Sequence, residues 1–121
     1  MTTAEINIDF AKMDGLVPAI VQDAKTLEVL MVGFLNEISY AKTLETGFVT
    51  FWSRTRQKLW MKGETSGNRL RVIDASTDCD QDTLLFRVEV EGDGLVCHEG
   101  TVSCFTTPIA LPSSHIQEVR S

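Results

Sequence analysis

The chain has 121 residues, 43% of them hydrophobic, which suits a single globular domain spanning residues 1–121 and excludes a second core. Its net charge of −6 argues against nucleic acid as a partner, because a phosphate backbone is bound by an excess of Lys and Arg. Residues 1–10 carry no basic segment and no long apolar run, so we expect no secretory signal, no membrane span and a cytoplasmic location.

The first third of the chain predicts an arm followed by two strands. Residues 1–14 have apolar positions too sparse to assign, and we expect an arm or a short helix there. Residues 15–23 predict a strand at an edge or bulge, because Pro18 has no N–H to donate. Residues 27–35 form an apolar run of strand length, which predicts a strand buried on both faces.

One helix is predicted clearly by its two ends. Asn36 is a good N-cap, and Gly47 is placed to end the helix in a left-handed conformation. Between them one stripe is apolar, and we expect it to pack on the sheet. The stripe contains Ile38, Tyr40, Ala41 and Leu44.

The remainder of the chain predicts strands separated by polar turns. The strands are expected at 48–53, 58–62, 70–77, 83–90 and, as a last short one, 95–105. Turns are expected at 54–57, 63–68 and 91–94, and the tail 106–121 is expected to be irregular. This order predicts an α+β fold with a mostly antiparallel β-sheet and one or two packed helices.

In the segment 78–82, the carboxylates of Asp78, Asp80 and Asp82 alternate with other residues. In an extended backbone they would lie on one side and Cys79 on the other. Carboxylate oxygens suit Mg²⁺ and the thiolate suits Zn²⁺. An acidic solvated turn between two strands is an equally good interpretation of this segment alone.

The other two cysteines, Cys97 and Cys104, lie near each other in sequence around Gly100. With Cys79 they make three sulfur ligands, one short of a closed zinc site. His98 is an awkward fourth ligand because neighbours in extended chain diverge, so an open position for water, typical of catalytic zinc, is the better interpretation. The alternative is that these cysteines are small buried apolar residues.

Cations are concentrated in one segment, residues 54–71. It holds six of the eleven Lys and Arg residues and one acid, so its charge is +5 while the other residues sum to −11. Such a patch suits a small phosphorylated ligand better than a polymer, although basic residues on a hairpin are often only a solvated face. Glu64 is either an ion-pair partner or a general base, and Trp52 and Trp60 either stack on a base or belong to the core.

Together these segments resemble the phosphoribosyl-AMP cyclohydrolase family of histidine biosynthesis. The resemblance covers roughly residues 15–107, and Thr55 stands where the family often has serine. The matching segments are 15–23, 30–37, 52–56, 59–68, 78–85 and 97–105.

The resemblance implies a hydrolase that acts on a cyclic amidine C–N bond. Its reaction opens the adenine ring of N1-(5-phosphoribosyl)-AMP between N1 and C6, which gives the formimino-aminoimidazole carboxamide ribotide of L-histidine biosynthesis. The family resemblance also implies an intertwined homodimer in which both subunits supply ligands to each zinc, with a zinc and a magnesium ion in each subunit. No nucleic acid or membrane partner is implied.

The resemblance assigns roles to most of the residues singled out above. Zinc is assigned to Cys79, Cys97 and Cys104, and magnesium to Asp78, Asp80 and Asp82. The chemistry also needs a base that takes a proton from water, and the candidates are His98 and Glu64, with His98 as the hypothesis because it adjoins a zinc ligand in sequence. Substrate binding is assigned to Trp52, Ser53, Arg54, Arg56, Lys62, Thr65, Ser66 and Asn68.

Two other classes of protein remain as alternatives. A zinc-binding interaction module without catalysis is supported by the cysteine count, but it does not explain the basic segment. A zinc nucleoside deaminase would share the metal-activated water, but its histidine-x-glutamate and cysteine-x-x-cysteine motifs are absent from this sequence.

Overall fold

The structure, a computed structural model, describes residues 6–112. These residues form an α+β fold, as predicted, with element bounds no more than two residues from the predicted ones, except at 95–105. The elements are a 3₁₀ helix Ala11–Met13, β1 Val17–Asp23, β2 Val29–Leu35, α1 Glu37–Thr46, β3 Thr50–Ser53, β4 Lys58–Met61, β5 Leu70–Thr77 and β6 Leu84–Val90.

Four strands form the main sheet in the order β2-β1-β6-β5, and β3 and β4 form a two-stranded sheet. The pairs β1–β2, β5–β6 and β3–β4 are antiparallel and β1–β6 is parallel, so the sheet is mostly antiparallel as predicted. Of the two positions predicted from Pro18, an edge or a bulge, the edge is wrong because β1 is central, and the register shift of β1 lies between Val21 and Gln22. Pro18 is accommodated because it precedes Ala19, the first residue paired with β6, and the β6 ladder does not need its N–H.

The core lies on one face of the main sheet. Alternate residues of β1 and β6 point into it, and Phe51 of β3 packs across β2. A Cβ on Gly33 would lie 2.5 Å from the Phe51 ring, so glycine at this position of β2 permits the close approach of β3. The fully buried residues from β1 and β6 are Val17, Ala19, Val21, Phe86 and Val88.

The ends of α1 are as predicted, but its buried face is not. Asn36 accepts a hydrogen bond from the Ser39 backbone N–H at 2.9 Å and the helix ends at Gly47 with φ 80°. The residues buried against the protein are Ser39 and Thr43, and the Thr43 hydroxyl accepts from the Thr50 N–H at 2.9 Å.

The prediction that the apolar stripe of α1 packs on the sheet is therefore wrong. Ile38 is 62% exposed and Leu44 and Ala41 are exposed as well. Only Tyr40 packs against the core, where its ring lies 5.8 Å from that of Phe10. Polar hydrogen bonds to β3 orient the helix, and they turn this stripe outward.

β2 is not buried on both faces. It is an edge strand of the main sheet, and Val29 and Val32 are exposed on the face opposite the core. Val32 pairs with Ile20 of β1, and Ile20 pairs with Leu85 of β6, so these three side chains form a row across the outer face. The outer face is therefore apolar in its middle.

The strand predicted at 95–105 is also wrong, since this segment is irregular. The Cys97 N–H donates to the Thr101 carbonyl at 3.0 Å, and Gly100, with φ 85°, turns the chain between them. The segment is then attached to β2, because the Cys104 N–H donates to the Leu30 carbonyl at 2.8 Å. These two hydrogen bonds take the place of regular strand pairing, and the segment forms a loop beside the edge strand β2.

The two ends of the chain are described in part. Residues 6–14 form an arm with its 3₁₀ helix, and residues 106–112 contain no regular element. The rest of the predicted tail, with His115, lies outside the described residues. No helix within residues 6–112 is both long enough and apolar enough to cross a membrane.

Candidate active site

A cavity of about 530 Å³ lies between two parts of the chain. One wall is β4 with the turn after it, and the other is the irregular segment 95–100. Eight residues assigned to the site by sequence meet there, namely Arg56, Lys62, Glu64, Thr65, Ser66, Asn68, Cys97 and His98. The structure therefore brings the basic segment and the second cysteine region to one place.

Three of the residues assigned to substrate binding do not line this cavity. Ser53 lines an adjoining hollow of about 360 Å³, which shares Arg56, Lys58 and Trp60 with it. Trp52 and Arg54 line a separate hollow near the start of α1, and the Arg54 guanidinium lies 4.4 Å from the centre of the Phe34 ring. Trp52 and Arg54 thus face away from the cavity within this chain.

Two further cavity residues, Lys58 and Trp60, belong to the cationic segment 54–71 but were not assigned to the site from the sequence. Both lie on β4, where side chains alternate between faces, so they share a face with Lys62. Counting back from Lys62 in steps of two would have assigned them to the site. The Lys62 ammonium lies 5.5 Å from the centre of the Trp60 ring, within range of a cation–π interaction.

Asn68 joins the two walls of the cavity. Its side-chain amide donates to the Leu95 carbonyl at 2.9 Å, and its side-chain oxygen accepts from the Asp93 N–H at 3.1 Å. The residue is 8% exposed, and its neighbour Gly92 has no Cβ to strike that oxygen. Asn68 therefore sets the position of the segment that leads into Cys97.

The titratable side chains of the cavity differ in their surroundings. Arg56, Lys58 and Lys62 supply positive charge along one wall. On the other wall His98 is 87% exposed, and its Nε2 lies 3.2 Å from a Glu99 carboxylate oxygen. The cavity thus offers cations for an anionic ligand and two groups, His98 and Glu64, able to exchange a proton.

Cys97 and Cys104 form a pair of neighbouring free thiols with opposite pKa shifts. Hydrogen bonding, first from the Glu99 backbone N–H, lowers the pKa of Cys97. Burial raises the pKa of Cys104, and its neighbour Cys97 adds to that rise. One member of the pair is therefore predisposed to be a thiolate, the form that binds metals.

The aspartate segment is a turn between β5 and β6, which we call the acid turn, residues 78–83. It has the turn conformation that was one of the two interpretations of this segment, and it does not have the extended backbone of the other. The Asp78 carboxylate accepts from the N–H groups of Asp82 and Thr83 at 3.1 and 3.2 Å, and Gln81 has φ 63°. The turn nevertheless gathers Asp78, Asp80 and Asp82, each of which offers a carboxylate oxygen within 4.8 Å of the others.

A lysine from the N-terminal arm lies against the acid turn. The Lys12 ammonium is 3.0 Å from an Asp80 oxygen and 3.1 Å from an Asp82 oxygen. This contact raises the pKa of Lys12 to about 12, and the hydrogen bond from Lys12 is the largest cause of the lowered pKa of Asp80. The carboxylate cluster is thus a place that attracts positive charge.

Cys79 lies in the acid turn, where it is exposed, and it does not join the other two cysteines. Within residues 6–112, the three aspartates are the only group of three or more potential metal ligands that lie close enough to share an ion. One chain therefore assembles the carboxylate set, but only two of the three thiols.

Comparison with known proteins places the chain in a family. The family model described as phosphoribosyl-AMP cyclohydrolase matches residues 31–106, which is more than half of the chain and includes the cavity residues and the acid turn. The chain belongs to the phosphoribosyl-AMP cyclohydrolase family. This confirms the resemblance inferred from its motifs.

Curated members of the family are close relatives in sequence. The phosphoribosyl-AMP cyclohydrolase of Solibacter usitatus is 60% identical over 100 residues, which cover 83% of this chain and 79% of that protein. The one from Streptococcus thermophilus is 53% identical over 105 residues, covering 87% and 92%. The histidine biosynthesis bifunctional protein HisIE of Bacteroides thetaiotaomicron is 55% identical over 100 residues, and these cover 83% of this chain but 48% of that longer protein.

Proposed function

We propose that this chain is a phosphoribosyl-AMP cyclohydrolase of histidine biosynthesis, which opens the adenine ring of its substrate by hydrolysis of the N1–C6 bond. The family match carries this proposal, since relatives that are identical to this chain at more than half of the aligned positions bear that name. The cavity supports it, because cations suited to phosphate lie opposite a thiol pair suited to zinc.

The substrate chemistry fits the residues of the cavity. Attachment of a phosphoribosyl group to N1 makes the purine ring cationic and its C6 electrophilic. Arg56, Lys58 and Lys62 would hold phosphate groups, which need positive charge and several N–H donors. The Trp60 ring is 39% exposed and would stack against the flat base, while part of it remains packed on Phe51 at 5.5 Å.

The cysteines would hold zinc. Cys97 and Cys104 supply two neighbouring sulfur ligands, and the lowered pKa of Cys97 favours the thiolate that zinc requires. The exposed Cys79 of a second copy would complete the set, because the Cys79 of the same chain lies apart from them. A zinc ion held there would supply a Lewis acid that makes water acidic enough to react at neutral pH.

His98 is proposed as the general base and Glu64 as its rival. Both line the cavity, and His98 follows Cys97 in the chain. His98 would accept a proton from the attacking water at a ring nitrogen, with the Glu99 carboxylate 3.2 Å away to stabilise the charged imidazole. If His98→Ala kept near-wild-type kcat from about pH 6 to about pH 9, while Glu64→Gln lost it, the base would be Glu64 instead.

The acid turn would hold magnesium through Asp78, Asp80 and Asp82. Their oxygens are the donors that this ion prefers, and their spacing suits a shared ion. The contact with the Lys12 ammonium supports a cation at this place. Bound magnesium would supply further positive charge for the phosphates of the substrate.

A homodimer is proposed as the working form. The outer face of the main sheet exposes Ile20 and Val32, the latter by 49%, and α1 exposes Ile38. After Cys104 the chain exposes more apolar residues, including Ile109 at 84%. A second copy would cover apolar surface that a monomer leaves in water, and it would bring its Cys79 to the thiol pair of the first.

The activity is tested directly with the proposed substrate. The purified chain with Zn²⁺ and Mg²⁺ is expected to convert N1-(5-phosphoribosyl)-AMP to the ring-opened product, followed by ultraviolet absorbance, without release of ammonia. Tightly bound zinc with no turnover would favour the interaction module. Release of ammonia would favour deamination, which replaces an amino group and leaves the ring closed.

The separation of the two metals is tested by one substitution with a matched partner. Cys97→Ser is expected to abolish zinc binding and activity and to leave magnesium binding largely intact, since the carboxylates are a separate set. Asp80→Asn is expected to abolish magnesium binding and to leave zinc binding largely intact. Loss of both metals in either variant would mean that they share one site.

A further inference from the structure

The ammonium of Lys12 lies against the carboxylate cluster of the acid turn. It contacts Asp80 and Asp82 at 3.0 and 3.1 Å, and these are two of the three residues whose oxygens lie within 4.8 Å of one another. A divalent cation on these carboxylates would stand within a few ångströms of that ammonium. The two positive charges would compete for the same oxygens.

The backbone of the arm delivers Lys12 to this place. The Asp9 N–H donates to the Gln81 carbonyl of the acid turn at 2.8 Å, and the Lys12 N–H donates to the Asp9 carboxylate at 3.2 Å. Both bonds lie outside the ammonium contact itself. The lysine is therefore positioned by the arm as part of the fold.

We propose that Lys12 is a built-in competitor of the divalent cation, so that magnesium must displace its ammonium from Asp80 and Asp82 in order to bind. This inference rests on the magnesium site proposed above. The ammonium neutralises part of the cluster while the ion is absent, which limits repulsion among three carboxylates in one turn. The cost is a weaker affinity for the ion, and binding of the ion releases the Lys12 side chain from the turn.

The size of the effect follows from exposure. The Lys12 side chain is 42% exposed, so solvent screens its contacts and each ion pair is modest. Removal of one positive charge next to a divalent ion should tighten its binding by about threefold to tenfold at low ionic strength. A role that is only structural predicts the opposite sign, because loosening the arm would weaken the site.

The experiment measures cation affinity in the full chain as purified. Mn²⁺ is titrated and followed by electron paramagnetic resonance of the unbound ion, and Mg²⁺ is then added to displace it. Lys12→Met is compared with wild type, with Lys12→Arg, which keeps the charge, and with Lys42→Met. Lys42 is a suitable match because it is exposed and pairs with a carboxylate, Glu45, at 3.0 Å on α1.

The expected result is tighter Mn²⁺ and Mg²⁺ binding in Lys12→Met, with Lys12→Arg and Lys42→Met within about twofold of wild type. Equal or weaker binding in Lys12→Met, with the site intact, would overturn the competition and leave the magnesium site standing. Asp80→Asn identifies the site. If that variant bound Mn²⁺ as wild type does, the ion would lie elsewhere, and both the magnesium site and the competition would be wrong.

Discussion

Asn68 offers the sharpest test of how the cavity is held together. Asn68→Ala removes the donor to the Leu95 carbonyl and the acceptor of the Asp93 N–H, at 2.9 and 3.1 Å. Each bond contributes about 0.5–1.5 kcal/mol, and the backbone groups left without a partner add to the loss, so the free energy of unfolding should fall by about 2–3 kcal/mol. In this variant the segment that leads into Cys97 should also lose its fixed position.

The assay is urea unfolding followed by tryptophan fluorescence, with a chelator present so that metal binding does not shift the equilibrium. A loss of this size should lower the urea midpoint by about 1–2 M. Ser66→Ala is the matched control, because Ser66 accepts one bond from the Asn68 N–H at 3.2 Å and is exposed. If Asn68→Ala lay within about 0.5 kcal/mol of the control, Asn68 would not join the two walls.

Three further substitutions test the fold. Gly33→Ala would drive a Cβ against the Phe51 ring, 2.5 Å away, and should cost about 1–3 kcal/mol in thermal unfolding; an unchanged midpoint would contradict the close approach. Thr43→Val leaves the buried Thr50 N–H without its acceptor and should cost about 1–3 kcal/mol in urea unfolding, whereas a neutral result would mean that α1 is not held there. The pKa of Asp23 is lowered in the folded protein, mainly by the hydrogen bond from the Thr26 backbone N–H. The Asp23 carboxylate therefore stabilises the fold at pH values above its unfolded pKa near 3.8. This stability is lost as the pH falls through the pKa that Asp23 has in the folded protein. Between about pH 5 and about pH 2 wild type should therefore lose more stability than Asp23→Asn, and parallel losses would refute the shift.

The elements that could be predicted from sequence are those determined by local chemistry. Asn36 and Gly47 set the ends of α1 through a side-chain cap and a left-handed glycine, both of which depend on neighbouring residues alone. The strand expected at 83–90 was likewise predicted from its own residues, and the structure has β6 at Leu84–Val90.

The predictions that failed depended on distant partners. The buried face of α1 was predicted from hydrophobicity, but the hydroxyl of Thr43 finds Thr50 on β3, and no local pattern reveals that partner. The central place of β1 depends on its parallel pairing with β6, far along the chain. The apolar run of β2 was interpreted as buried on both faces, but β2 is an edge strand with Val29 and Val32 exposed, and hydrophobicity alone does not reveal which elements cover a strand.

The candidate site was predicted better by residue type than by geometry. The residue types of the cysteines, carboxylates and cations indicated their chemistry, and half of the assigned residues line the cavity. Their arrangement was less accessible, since the acid turn gathers its carboxylates through the bonds of Asp78 and a left-handed Gln81 and not through an extended backbone. Lys12 was missed because it reaches the acid turn from an arm 68 residues away in sequence.

Two copies of the chain are proposed to complete one catalytic site, and mixed dimers of two inactive variants test this directly. Cys79→Ser and Cys97→Ser are each expected to be inactive alone. When equal amounts are unfolded, mixed and refolded with Zn²⁺ and Mg²⁺, half of the dimers should pair one of each, and every such dimer keeps one intact site. The mixture is expected to recover about a quarter of wild-type cyclohydrolase activity. No recovery, with mixed dimers present, would contradict it, because the three thiols would then have to come from one chain.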